Sequence, residues 1–481
     1  MTKLVSMSSW LTLVLLGLGS GVAEANSDKP NVIYILSDEI AYFEPGFMGG
    51  ELIDTPNLDQ MAAEGIVFRH LLSGAPACAP ARATLMTGRH LGRTSVRDNQ
   101  GDTPIRADEE TIASILKREG YATGGFGKWG LGGRGSSGVP EKHGFDVFFG
   151  YYHQVHAHTF FPPYLIKNSE EVPLPGNDVV GFRRSGETYA HYEIHEAAMD
   201  FIREHAGERP FFAYLPYTPP HGPFAIPESD PARAKYKDKA WPTDARLYAA
   251  MTTMLDRHVG EIRELLKEKG VAENTLVFFS GDNGADDRFA DKENPRGLFS
   301  GNKDPHSDLE YRGGKGNLYQ GALRVPFVAV WPGRIQPGRV SDFLGYFPDV
   351  LPTIAEVAGA KTPSDATGIS FVPALIGEEA AGREQAQHVY LYWEFRRGRV
   401  VRQGKWRAVH PTRKGASWEL YDVSKDPSES NNLAEVRPEV LARLRALVEE
   451  AREPVRGGTW KNRELNERDR RAKFGRHDQE T

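Results

Sequence analysis

A chain of 481 residues is too long for one small domain and suits a large α/β domain with a smaller companion. Its hydrophobic content of 40% and charged content of 26% are those of an ordinary globular protein. A net charge of −6 offers nucleic acid no footing, and a single cysteine excludes an internal disulfide.

Residues 1–25 carry Lys3, the apolar run Trp10 to Leu18 and then Ala23-Glu24-Ala25. That is the charged, apolar and small-residue order of a cleaved secretory signal. The run is well short of the roughly 20 residues a spanning helix needs. The mature chain is expected to start near Asn26 and to be exported, periplasmic or secreted, with no stable membrane span. Asn31 to Leu36 is a short β-branched run that predicts a buried strand, delivering Ser37-Asp38-Glu39 to its carboxyl end. Thr55-Pro56-Asn57 opens a helix with proline in the first turn. A helix is expected to begin just after Cys78 and to end at Gly88, and Glu109 to Glu119 predicts a further one stopped by Gly120. Ala122 to Lys128 reads as a strand end running into a glycine loop; strands are expected at Pro210–Leu215, Thr275–Ser280 and Val325–Trp331, with helices at Ala197–His205 and Leu247–Lys269. This alternation predicts an α/β fold across 26–375, a large mixed, mostly parallel sheet sandwiched by helices. Residues 130–190 and 284–314 are irregular and read as rims of a site, with Arg183, Arg184, His191, Tyr151, Tyr152, Phe160, Phe161 and Tyr164 on them. Over 376–460, four short strands with close turns and a helix from about Pro438 to Glu453 predict a smaller antiparallel subdomain. Residues 461–481 form a strongly charged tail, expected to fray or to be disordered.

Several residues carry chemistry. Cys78 sits just before its predicted helix and faces the free backbone N–H groups and the positive dipole end, which seat an anion. A lone cysteine is otherwise a small buried hydrophobe. Asp38-Glu39 and Asp282-Asn283 follow two predicted strands at one sheet edge. Oxygen-bearing side chains there suit a hard divalent cation, Ca²⁺ or Mg²⁺, rather than zinc. Acidic residues at strand ends also serve as turn and cap residues.

The ordered motifs narrow this further. They are Cys78-Ala79-Pro80-Ala81-Arg82, Gly127-Lys128-Trp129-Gly130-Leu131-Gly132, Pro220-His221-Gly222-Pro223, Ser280-Gly281-Asp282-Asn283-Gly284 and Lys315 in Gly314-Lys315-Gly316. Near the far end come Glu419-Leu420-Tyr421-Asp422 and Asn431-Asn432-Leu433-Ala434. From Asn31 to about Ala434 the chain resembles the type I, formylglycine-dependent sulfatases of the alkaline phosphatase superfamily. The resemblance implies hydrolysis of sulfate esters. It implies that a formylglycine-generating or anaerobic maturating enzyme oxidises Cys78 to formylglycine, whose hydrate is the nucleophile. It further implies one divalent cation, Ca²⁺ before Mg²⁺, held by Asp38, Glu39, Asp282, Asn283 and an oxygen on residue 78. Lys128 and Lys315 would bind the sulfate, His221 or Lys315 would protonate the leaving alcohol, and Arg82 would hold the hydrate. Two departures stand out. The family pair Asp-Asp is Asp38-Glu39 here, and the histidine expected two places after Lys128 is Gly130. His156 or His158, in His153-Gln154-Val155-His156-Ala157-His158, is expected to replace that imidazole. A phosphate or phosphonate hydrolase and a non-enzymatic anion- or glycan-binding relative are the competing readings. The substrate favoured is a sulfated saccharide, with a flat aryl ester as the alternative.

Overall fold

The computed structural model describes residues 29–177, 185–286 and 295–473. The signal segment, Arg183 and Arg184 lie outside the described residues. Ten strands form one sheet in the order Arg339–Ser341, Ile66–Phe68, Phe327–Val330, Thr275–Gly281, Asn31–Ser37, Phe211–Tyr217, Ala122–Lys128, Val147–Tyr151, Tyr164–Lys167 and Glu170–Pro173. The middle five, from Thr275–Gly281 to Val147–Tyr151, are all parallel. Antiparallel pairs appear only toward the edges.

The central strands are apolar throughout because both of their faces are covered. Val32, Tyr34 and Leu36 point into one core with Phe212, Tyr214 and Phe278. Ile33 and Ile35 point into the other with Ala213, Leu215 and Phe279. Parallel strands with helices on both faces gather their carboxyl ends along one edge, where such sheets hold ligands.

The smaller C-terminal sheet is antiparallel, Leu391–Phe395, Gly398–Gln403, Trp406–His410 and Glu419–Asp422 in that order. One face carries the Pro438–Ala451 helix on Tyr392, Val401 and Leu420. Its other face packs Trp393, Val400 and Val409 against Leu72, Ala77 and Leu323 of the large unit. Trp393 Nε1 donates to the carbonyl of Ser73 at 2.9 Å, bracing the loop that leads to Cys78.

Several expectations need correction. The helix expected from Glu109 starts at Ile112, because Thr111 caps it: its hydroxyl accepts from Ser114 N at 3.2 Å. The Ala190–His205 helix begins seven residues before the expected Ala197. The irregular stretch 130–190 contains three strands that complete one side of the main sheet. Most substantially, the charged tail does not fray over its described part. Glu464–Ala472 is a helix, and its Asp469 is fully buried. Asp469 accepts from Arg134 Nε at 3.0 Å, Arg134 Nη2 at 2.6 Å and the Tyr164 hydroxyl at 2.9 Å.

Candidate active site

Four neighbouring parallel strands build the floor. Asp38 and Glu39 follow Asn31–Ser37, Asp282 and Asn283 follow Thr275–Gly281, His221 follows Phe211–Tyr217, and Lys128 ends Ala122–Lys128. The Cys78–Thr87 helix points its first turn at this edge. It ends at Gly88, whose φ of 67° is left-handed and whose N–H closes on Thr84 O at 3.1 Å. Glycine is also required at position 74, where a Cβ would lie 1.8 Å from Thr84 Oγ1.

The charged groups interlock. Lys128 Nζ donates to Asp38 Oδ2 at 2.5 Å. Arg82, fully buried, reaches Asp282 Oδ2 at 2.9 Å and the Lys128 carbonyl at 2.6 Å. Glu39, at a left-handed φ of 71°, donates its N–H to Asp282 Oδ1 at 3.1 Å. Its carboxylate pairs with Lys315 and lies 3.0 Å from His221 Nε2. A non-glycine residue in that conformation carries local strain of the kind that collects at functional sites. Cys78 is fully buried, and its helix N-terminus is steadied by Asn99, whose Oδ1 accepts from Ala79 N at 2.9 Å. Nothing in the motifs singled out Asn99; a lone polar loop residue carries no signal until the loop is folded against the helix.

Electrostatics follow from burial and pairing. Burial raises the Asp38 carboxyl, yet Lys128, His221, Arg82 and Lys315 together hold it well below the usual carboxylate range. Burial and the charge of Asp38 push its partner Asp282 upward. Burial, helped by Asp38, holds the Cys78 thiol protonated, well above its ordinary value. Burial lowers His221 to about 4 and Lys315 to about 8.

The site has the donors a hard cation needs. Asp38 Oδ1 and Asn283 Oδ1 are buried oxygens with no hydrogen-bond partner among the described residues. Ligand atoms of Asp38, Glu39, Cys78 and His221 all lie within 4.8 Å of one another. Orphaned carboxylate and amide oxygens fit Ca²⁺ or Mg²⁺. The longer Glu39 arm still reaches this cluster.

The structure separates the two candidate histidines. His158 stacks on His221, ring centroids 4.4 Å apart and planes 13° from parallel. His156 is buried between Tyr151 and Tyr164, each centroid 5.1 Å away, and is not brought to the cluster. Short helical turns send residues two apart to different sides, so their spacing could not decide between them. Tyr151, Tyr152, Phe160, Phe161 and Tyr164 are core residues rather than rim. His191 is likewise buried, its Nε2 3.0 Å from His258 Nδ1.

Comparison with known proteins decides the family. The sulfatase family model matches residues 30–360, and the model for the C-terminal part of N-sulphoglucosamine sulphohydrolase matches 314–453. The chain belongs to the sulfatase family. It is similar to N-acetylgalactosamine-6-sulfatase of Canis lupus familiaris, 33% identical over 80% of this chain and 73% of that one. It is similar also to arylsulfatase A of Homo sapiens, 31% identical over 90% of this chain and 89% of that one. Among solved structures, Ps i-CgsB in complex with k-i-k-neocarrahexaose superposes with a TM-score of 0.73 at 25% identity, covering 88% of this chain and 93% of that one. The sulfatase is thus a sulfuric ester hydrolase with an alkaline phosphatase-like fold. No helix among its described residues is long and apolar enough to cross a membrane.

Proposed function

We propose that this sulfatase removes sulfate from a saccharide, using a nucleophile made from Cys78 in a pocket that also holds one divalent cation. The observation that carries the reading is the convergence of Cys78, Asp38, Glu39, Asp282, Asn283, Lys128, Arg82, His221 and Lys315 at one sheet edge. A thiol is a poor starting point for sulfate transfer, since a thiosulfate-like adduct has no easy exit. Formylglycine at residue 78 would supply a hydroxyl nucleophile and an aldehyde to collapse to. A cation held by Asp38, Glu39, Asp282, Asn283 and the oxygen on residue 78 would supply positive charge beside the reacting sulfuryl group. Lys128 and Lys315 bind the anionic oxygens, each with a carboxylate partner that fixes its direction. His221 and Lys315, 3.4 Å apart, are the groups that deliver a proton to the leaving oxygen. His158, stacked on His221, is the imidazole available to take a proton from residue 78. Arg82 ties Asp282 to the Lys128 carbonyl and so holds the strand ends in register.

Residues 26–375 make the catalytic domain in this reading and 376–460 the antiparallel subdomain. Export rests on the signal pattern of residues 1–25, and a maturating enzyme is the required partner. Sulfate release from the purified, matured protein tests the function: sulfated mono- and oligosaccharides, an aryl sulfate, a phosphate monoester and a phosphonate monoester are compared. Preference for a sulfated saccharide supports the reading. Preference for either phosphorus ester overturns it.

A further inference from the structure

We propose that Gln154 is a sulfate ligand of this pocket, its carboxamide occupying the space that Gly130 leaves open. The inference rests on the sulfate-ester reading above and names one more residue of that site. Gln154 is 1% exposed, and neither Oε1 nor Nε2 has a hydrogen-bond partner among the described residues. A fully buried primary amide with both ends unsatisfied is costly unless a ligand completes it.

Its location is set by two neighbours. A Cβ built on Gly130 would lie 2.6 Å from Gln154 Oε1 and 3.7 Å from the Cβ of Ala79. The amide therefore lies along the direction a side chain at 130 would take, beside the first turn of the helix that Cys78 opens. Gly130 comes two residues after Lys128, which is already in the site. The geometry is rigid on both sides: Trp129 N donates to Tyr151 O at 2.9 Å and Gly130 N to Tyr152 O at 3.2 Å. The following turn is pinned by Val155 N donating to His153 Nδ1 at 2.9 Å.

The chemistry suits the place. The pocket already holds three carboxylates and three fixed cations, paired with one another. A neutral amide adds a donor for a sulfate oxygen without a further buried charge. The ring of His158 stands on the His221 side of the pocket. Gln154 covers the wall beside Ala79.

Sulfate binding in the absence of turnover tests this. Inorganic sulfate is titrated calorimetrically into the Cys78→Ala protein and into the same protein carrying Gln154→Ala, Gln154→Met, Gly130→Ala, or Gly130→Ala with Gln154→Ala. Loss of one hydrogen bond to an anion is expected to raise the Kd about tenfold in Gln154→Ala. Gln154→Met keeps the volume and is expected to show the same loss. Gly130→Ala pushes the flexible amide aside and is expected to weaken binding similarly, but to add nothing once Gln154 is alanine. The backbone strain of alanine at the Gly130 φ of 78° is common to both backgrounds and cancels in the cycle. Thermal melts of each variant confirm that binding is measured on folded protein. Affinity within twofold of the parent in both Gln154 variants overturns the proposal, as does full additivity with Gly130→Ala. A folded parent that takes up no sulfate overturns the sulfate reading of the pocket itself, a separate failure.

Discussion

Asp469→Asn probes the unexpected order of the C-terminal segment. The carboxylate is fully buried and accepts two hydrogen bonds from Arg134 and one from Tyr164. Burial raises this carboxyl, and Arg134 opposes the shift. Asparagine keeps the shape but removes the charge, leaving the Arg134 guanidinium with Glu171 Oε1 at 2.8 Å as its remaining carboxylate. Breaking one side of a buried pair costs about 3–5 kcal/mol, and the surviving Glu171 contact puts this case near the lower figure. Unfolding entropy of about 2.1 cal/mol/K per residue gives about 1 kcal/mol/K for this chain, so the Tm falls by about 3 °C. The pair is buried, so the deficit persists in high salt, where exposed ion pairs are screened. Differential scanning calorimetry at low and high salt measures both. Hydrogen exchange should rise first at Glu464–Ala472 while Asn31–Ser37 stays protected. A Tm unchanged within about 1 °C, or a deficit abolished by salt, would refute the claim that this pair anchors the helix.

Three further outcomes follow from the site and the core. Cys78→Ala should fold with a small loss of Tm and lose sulfate release by at least about 10³-fold, measured by ion chromatography of released sulfate. Chelation of divalent ions should lower both activity and Tm, and Ca²⁺ or Mg²⁺ should restore both; an unchanged Tm with chelator would argue against a resident cation. Buried His90 and His153 are each lowered to about 3, mainly by burial, and each accepts a backbone N–H on Nδ1. Unfolded histidine titrates near 6.5, so below that pH the unfolded chain binds protons these residues refuse. Stability is therefore full above about pH 6.5 and falls as the pH drops toward 3, by up to about 1.4 kcal/mol per pH unit for each residue. Tm should fall less steeply between pH 6.5 and 5 in a His90→Gln, His153→Gln protein than in the parent, the remaining slope coming from other buried histidines.

The legible parts of the fold are those with local causes. Asn31–Ser37, Phe211–Tyr217 and Thr275–Gly281 stand out because a doubly covered parallel strand carries a near-continuous apolar run. The placement of Asp38, Asp282 and His221 at one edge follows from those strands. The strands between Val147 and Pro173 are short and interrupted by Gly, Pro and aromatic residues, so no period marks them. The tail helix was illegible for another reason. Its anchor joins Arg134 to Asp469 across 335 positions, and each residue alone resembles solvated charge. Gln154 and Asn99 are the same case at the site, since neither type is unusual in a loop and only the folded contact with Gly130 or Ala79 gives it meaning. His156 and His158 show the converse, two chemically equal candidates separated only by the turn they share.

Peptide mass spectrometry of the Cys78 fragment, from protein made in a host with working maturation machinery, reads the chemical identity of the nucleophile itself. The expected mass is that of a residue in which the thiol-bearing carbon has become an aldehyde, accompanied by sulfate release from a sulfated saccharide. An unmodified thiol at residue 78 in protein that still turns over sulfate esters would contradict it.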